Sequence, residues 1–231
     1  MLTVPQNPAS RLAAVRERIA AAAVAAGRDP ASVTLIGVSK AQPAEAIRAA
    51  AAAGLADIGE NYLQEAAGKM QALAGLPLTW HFIGPLQSNK TRAVAGDFDW
   101  VHSVDRPKVA QRLSGQRPHY APPLQVCLQV RLGGEPGKSG VEPAGLPALA
   151  AEVAALPRLA LRGLMCVPPE ETDPARQRYW FAELRRLRDD LAGRGHHLDV
   201  LSMGMSGDFE AAIAEGATHV RVGTAIFGAR R

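Results

Sequence analysis

The feature that most constrains this chain is an alternation between two hydrophobic patterns. Short apolar runs rich in β-branched residues give way, again and again, to longer alanine-rich amphipathic stretches. The apolar runs are 34–40, 57–61, 78–84, 100–103, 124–132, 159–167, 198–203 and 220–227. The stretches between them read as helices near 44–53, 62–73, 90–95, 106–113, 145–156, 174–192 and 209–215. One more helix is predicted in front of the first run. Leu12, Val15, Ile19 and Val24 recur near a 3.6 period over 9–26, and Gly27 follows as a stop. Strict strand–helix alternation implies parallel strands joined by helical crossovers. Parallel strands buried on both faces read as unbroken apolar runs, as these do. Eight repeats in about 200 residues suit an α/β fold, a closed (β/α)8 TIM-type barrel with an extra N-terminal helix. An open doubly wound sheet is the alternative. The expectation is one domain spanning residues 1–231. The Gly/Pro-rich stretch 133–140 reads as a loop after the fifth strand, not as a linker.

Composition agrees with that architecture and excludes several partners. Apolar residues make up 47% of the chain and aromatics only 5%, which favours alanine-rich helices on a sheet over an all-β sandwich. The net charge is +4, but Arg11, Arg16, Arg18, Arg185, Arg186 and Arg188 lie among acids at helical spacing. Such charges belong to solvated helix faces. No basic run with interleaved aromatics suggests nucleic acid. No apolar stretch is long enough to span a bilayer, and residues 1–10 lack the form of a signal peptide. Cys127 and Cys166 both sit in apolar runs and form no CxxC or Cys/His pattern. Two buried free thiols in a reducing, cytoplasmic setting are expected. So is a monomer, because no long exposed apolar face stands out.

In such a barrel the functional groups sit at the carboxyl ends of the strands, and here polar residues and glycines collect there. The first run ends in Lys40, the second in Gly59-Glu60-Asn61, and the third leads into 81–90. The sixth carries Met165, the seventh ends in 202–208, and the eighth holds Arg221, Gly223 and Thr224. A lysine at the end of a buried strand is unusual. A desolvated amine sheds its proton more readily and can attack an aldehyde to form a Schiff base. Barrels often hold phosphate in their last two loops on backbone N–H groups. Ser206 with Gly207, and Thr224 with Gly223, pair a hydroxyl with bare backbone in those loops. The plainer alternative is that Ser206 only caps the following helix and Gly223 only makes a turn.

Arg221 shares a strand face with Gly223. It could pair with a carboxylate such as Glu60, or face a heteroaromatic ring nitrogen. Arginine is one of the usual partners of the pyridine nitrogen in pyridoxal phosphate. An aldehyde-reactive lysine, a ring-nitrogen arginine and phosphate loops together describe that cofactor. His81 and His102 read first as satisfied core histidines. No metal site is expected, and Ser206 lies in no nucleophile elbow. Met203 and Met205 read as packing around the site.

The stretches 37–40, 59–62, 81–90, 202–206 and 221–228 resemble the pyridoxal phosphate homeostasis proteins, in order along nearly the whole chain. That family is similar in fold to the barrel domain of bacterial alanine racemase. The resemblance implies that Lys40 carries the cofactor as a Schiff base and that Ser206, Gly207, Gly223 and Thr224 surround the phosphate. It further implies that Arg221 faces the pyridine nitrogen and that Asn61 and Met165 line the cofactor. Only the backbone N–H of Gly207 should matter, because its slot varies in the family. The implied function is to carry or buffer pyridoxal 5′-phosphate, with dependent apo-enzymes as possible recipients.

The alternative is a pyridoxal phosphate enzyme such as a racemase. A racemase of this fold needs a second acid/base group, usually a tyrosine from another domain. The sequence ends at Arg231, directly after the eighth run, and none of Tyr62, Tyr120 and Tyr179 stands out for that role. An arginine at the ring nitrogen also disfavours a second positive charge there, which weakens the ring as an electron sink. A carrier with no catalytic residues is therefore expected.

Overall fold

The computed structural model describes residues 7–133 and 139–228. Most of the 133–140 stretch and the last three residues lie outside the described set. Eight parallel strands close into a barrel in chain order, as the alternation predicts. They are β1 (Thr34–Val38), β2 (Asp57–Glu60), β3 (Thr79–Phe82) and β4 (Trp100–Val104), then β5 (Leu124–Val130), β6 (Leu159–Cys166), β7 (Val200–Ser202) and β8 (His219–Val222). The open-sheet alternative fails because β1 pairs with both β2 and β8.

Helix α1 (Pro8–Ala25) precedes the barrel, and α2 (Ala44–Ala52), α3 (Leu63–Ala72), α4 (Thr91–Asp97) and α5 (Pro107–Gln116) follow the first four strands. After β5 to β7 come α6 (Leu146–Ala154), α7 (Pro174–Ala192) and α8 (Phe209–Ala214). The short α9 (Thr224–Phe227) ends the described chain. This last helix corrects the reading of 220–227 as one strand: the chain turns at Gly223, and the apolar tail Ala225-Ile226-Phe227 folds back to bury Ile226 and Phe227.

Local chemistry explains the helix starts. Asn7 caps α1 by accepting from Ser10 N at 2.8 Å, and Pro8 supplies a preset φ at the first helical position. Leu12, Val15, Ile19 and Ala23 then repeat on one stripe and are buried. Leu12, Val15 and Ile19 each contribute about 1.5–3 kcal/mol on burial, and Ala23 less. Arg16, on the same helix, donates to Ala53 O at 2.9 Å and Gly54 O at 2.7 Å, which covers the carbonyl end of α2.

The main core lies between the outside of the strands and the surrounding helices. The inside of the barrel is different. Cys127, Met165 and Val200 form a small separate cluster against Trp100, and a polar group accompanies it: His81, His102, Ser202 and Arg221 are all buried. A barrel filled with histidines and an arginine must satisfy each of them by hydrogen bonds.

Candidate functional site

Lys40 does not end a buried strand. β1 stops at Val38, and Lys40 lies half-buried in the turn that follows. The turn is forced by Ala41, whose φ of 56° is left-handed, a conformation that strains a residue with a Cβ. Three groups hold it. Ala41 N donates to Glu65 Oε2 at 2.9 Å, Lys69 Nζ donates to Ser39 O at 2.7 Å, and Ser39 Oγ donates to Glu60 Oε1. Both neighbours of Lys40 are thus tied to β2 and α3.

Lys69 also pairs with Glu60 at 2.6 Å, with both side chains almost fully buried. Burial pushes Glu60 up from the ordinary carboxylate range, opposed by its bonds to Lys69 and Ser39. Glu65 is held below that range, first by the Ala41 N–H. Sequence reasoning missed this cluster. Lys69 stands four residues after Glu65 on a helix, a spacing shared by solvated ion pairs.

The β1–β8 pairing brings the other expected residues to the same rim. Ile36 lies opposite Arg221. A Cβ on Gly223 would meet Val38 O at 3.3 Å, so the eighth loop presses on the strand end that leads to Lys40. The seventh and eighth loops meet where Thr224 Oγ1 donates to Ser206 Oγ at 3.3 Å. No loop or cap hydrogen bond among the described residues uses the N–H of Ser206, Gly207, Gly223 or Thr224. A Cβ on Gly207 would face open space. Four free N–H groups, two hydroxyls and room beside them suit a phosphate.

Ser206 is not the cap of α8. That position is Asp208, whose carboxylate accepts from Met205 N and closes the turn 205–208, so α8 begins only at Phe209. Gly204 makes the preceding bend at φ 91°, where a Cβ would strike Phe209 and Ala212. Met203 is buried as expected, but Met205 is exposed at the rim.

Arg221 is 4% exposed and forms no ion pair with a carboxylate among the described residues. Glu60 pairs with Lys69 instead, which removes the ion-pair alternative. Arg221 Nη1 donates to Ser202 Oγ at 2.7 Å and Nη2 to Cys166 O at 2.8 Å. A chain of contacts runs on from there. His102 Nδ1 lies 2.8 Å from Ser202 Oγ, His102 Nε2 lies 3.0 Å from His81 Nδ1, and His81 Nε2 lies 3.0 Å from Asp57 Oδ1. Arginine only donates, so Ser202 accepts from it and passes its own proton to His102 Nδ1. His102 then donates from Nε2 to His81, and His81 donates from Nε2 to Asp57. Burial, reinforced by His81, His219 and Arg221, holds His102 well below its ordinary pKa. The two histidines read as core residues are therefore both buried and bonded.

The remaining expected residues sit around this centre. Met165 is 1% exposed, opposite Ser202 in the β6–β7 pairing. Asn61 follows β2, and its backbone is so close to Gly84 that a Cβ there would collide with it. Tyr62, unassigned from sequence, places its ring centroid 5.1 Å from Lys40 Nζ. It meets the amine with its ring face, the arrangement of a cation–π contact. Cys127 and Cys166 are free and buried, and burial pushes both thiols up to about 12. Among the described residues no cluster of His, Cys, Asp and Glu could hold a metal, and no helix is long and apolar enough to cross a membrane.

Comparisons with known proteins place these residues in context. The family model described as "Alanine racemase, N-terminal domain" matches residues 10–231. A pyridoxal phosphate homeostasis protein of Pseudomonas aeruginosa is 62% identical over 230 residues, covering 100% of this chain and 97% of that one. Its namesake in Escherichia coli is 52% identical over 228 residues, covering 96% of each. Among solved structures, PipY of Synechococcus elongatus with PLP bound is 42% identical with a TM-score of 0.86, covering 96% of this chain and 100% of PipY. Alanine racemase from Corynebacterium glutamicum shares the fold, at 19% identity and a TM-score of 0.71, over 94% of this chain and 62% of that enzyme.

Proposed function

Because this chain belongs to the pyridoxal phosphate homeostasis protein family, we propose that it binds pyridoxal 5′-phosphate and carries or buffers it within the cell. The observation that carries this reading is the paired rim of β7 and β8. Among the described residues, four N–H groups without a loop or cap hydrogen bond and the hydroxyls of Ser206 and Thr224 share this rim with the buried Arg221, which has no ion pair there. These residues fit the cofactor. Ser206, Gly207, Gly223 and Thr224 would hold its phosphate. Arg221 uses two N–H groups on Ser202 and Cys166 O and keeps others for an acceptor in the site. Asn61 and Met165 would line the ring.

When bound, the cofactor supplies an aldehyde and a conjugated ring. Lys40 would tether that aldehyde reversibly, and the clamp on Ser39 and Ala41 aims its amine. The positive charge of Arg221 opposes protonation of a nearby ring nitrogen. That favours amine exchange over carbanion chemistry and supports a carrier rather than a racemase. Dependent apo-enzymes are the natural recipients of such a carrier.

The purified, loaded protein should be yellow, and borohydride should fix the cofactor to Lys40, read by mass spectrometry. Lys40→Ala should lose the visible band and the covalent label. A variant that kept both would overturn the role of Lys40. Steady racemisation or transamination of amino acids by the loaded protein would overturn the carrier reading.

A further inference from the structure

Beyond His81, the stretch 81–90 runs from the end of β3 to the start of α4. Its second half walls a cavity of about 320 Å³ between the loops after β2 and β3, shared with Asn61, Tyr62 and Gln64. The lining contains one cation, Lys90, and no carboxylate. Lys90 makes no ion pair with the described residues, and the side-chain amides of Asn61, Gln64 and Gln87 make no hydrogen bond with them. Some cations elsewhere are paired, as Arg18 is by Glu210 and Arg162 by Asp199, whereas Arg92, Lys108 and Arg194 share with Lys90 the lack of an ion pair among the described residues. The apolar side of the cavity is Leu63, Phe82 and Pro85. Tyr62 joins it to the tether, because the same ring lies 5.1 Å from Lys40 Nζ.

An ammonium and three carboxamides in a lining without a carboxylate suit an anionic carboxylate ligand. The volume lies at the small end of ligand sites, which run from about 300 to 1,000 Å³. That suits a small solute rather than a nucleotide. We propose that this cavity binds the carboxylate of a free α-amino acid and thereby admits the amine that displaces Lys40 from the cofactor. The inference rests on the reading of Lys40 as the tether. In the exchange, the amino-acid nitrogen forms a bond to the carbon held by Lys40 as the bond from that carbon to Nζ breaks. Lys40 leaves as the amine and takes up the proton that the incoming nitrogen loses. Nothing is oxidised or reduced. Release of the cofactor from Lys40 then rises with the supply of free amino acid.

The test titrates protein loaded with pyridoxal phosphate with L-alanine and, separately, with ethylamine, which lacks the carboxylate. The readouts are the visible band and the cofactor retained after rapid gel filtration. Lys90→Met should raise the half-saturating alanine concentration about tenfold, equivalent to about 1.4 kcal/mol, and leave that of ethylamine unchanged. Lys90→Arg should restore most of the alanine response. Saturation-transfer NMR of L-alanine with cofactor-free protein should show contact that Lys90→Met removes. Equal shifts for the two amines, or an alanine response indifferent to Lys90, overturns this proposal alone. A wild-type protein that retains no pyridoxal phosphate overturns the carrier reading and this proposal together.

Discussion

Single residues fix the direction of the bonds inside this barrel. Arg221 can only donate and Asp57 accepts at the far end, so each proton between them has one place to be. Ser202 is the joint, with Arg221 on one side at 2.7 Å and His102 on the other at 2.8 Å. Removing its hydroxyl leaves a guanidinium N–H and an imidazole nitrogen buried without partners. Each such loss costs roughly 1–3 kcal/mol, more for a charged group. Ser202→Ala should therefore destabilise the protein by about 2–4 kcal/mol in urea unfolding, and Ser202→Thr by much less. A loss under about 0.5 kcal/mol for Ser202→Ala would mean that the hydroxyl joins nothing. The same residue illustrates a limit of sequence. In the sequence His81 and His102 read as core histidines and Ser202 as one of several polar rim residues, and only the barrel register brings them into line.

At the scale of elements, the strands were legible because they are buried on both faces and their short runs stay mostly apolar, with His81, His102, Ser202 and Arg221 as inward-facing exceptions. Their ends were not. The run 34–40 reads as one strand up to Lys40, yet β1 stops at Val38, and the polar Ser39 and Lys40 lie in a turn set by the left-handed Ala41 and the bonds to Glu65 and Lys69. The run 220–227 ends early for another reason: the apolar residues of its second half form a helix that buries Ile226 and Phe227. The pairs Ser206-Gly207 and Gly223-Thr224 could be picked out because each sets a hydroxyl beside bare backbone at a strand end, and their use as a phosphate site belongs to the proposal. Glu60 and Lys69 were not, since a buried pair and a solvated one look alike in sequence. Their pairing joins β2 to α3 under the Lys40 turn, with one Glu60 oxygen, Oε2, buried and unbonded. Breaking such a pair strands a charge and costs about 3–5 kcal/mol. Lys69→Met should show that loss in urea unfolding and should also weaken cofactor retention. Adding Glu60→Gln should recover much of the stability, because the stranded charge is gone. If the double variant is no more stable than Lys69→Met, the pair is not the source of the loss.

The whole molecule wraps apolar packing around a polar axis, and that arrangement makes its stability depend on pH. His219 stands inside the barrel with its ring centroid 5.3 Å from that of Trp100, 6.2 Å from His102 and 6.4 Å from His81. Burial, then the nearness of His81, lowers its pKa to about 4, against the opposing pull of Asp57 and Asp199 and with a further push from Arg162. The unfolded chain binds this proton near pH 6.5. A depressed folded-state value adds stability that is fully present above about pH 6.5 and is lost as pH falls towards about 4. For His219 alone the loss between pH 7 and pH 5 is about 2 kcal/mol. His102, held well below its ordinary value, adds to the same trend. Its protonation would turn Nδ1 into a donor towards Ser202, which already accepts from Arg221. The serine proton would then have no acceptor in that chain, and the order from Arg221 to Asp57 would fail along its length. Urea unfolding at the two pH values should show His219→Gln losing about 2 kcal/mol less than wild type on acidification. Carboxylates elsewhere titrate alike in both proteins, so the difference isolates the histidine. Equal losses would mean that His219 already binds its proton in the folded barrel, and that the polar axis is open to water.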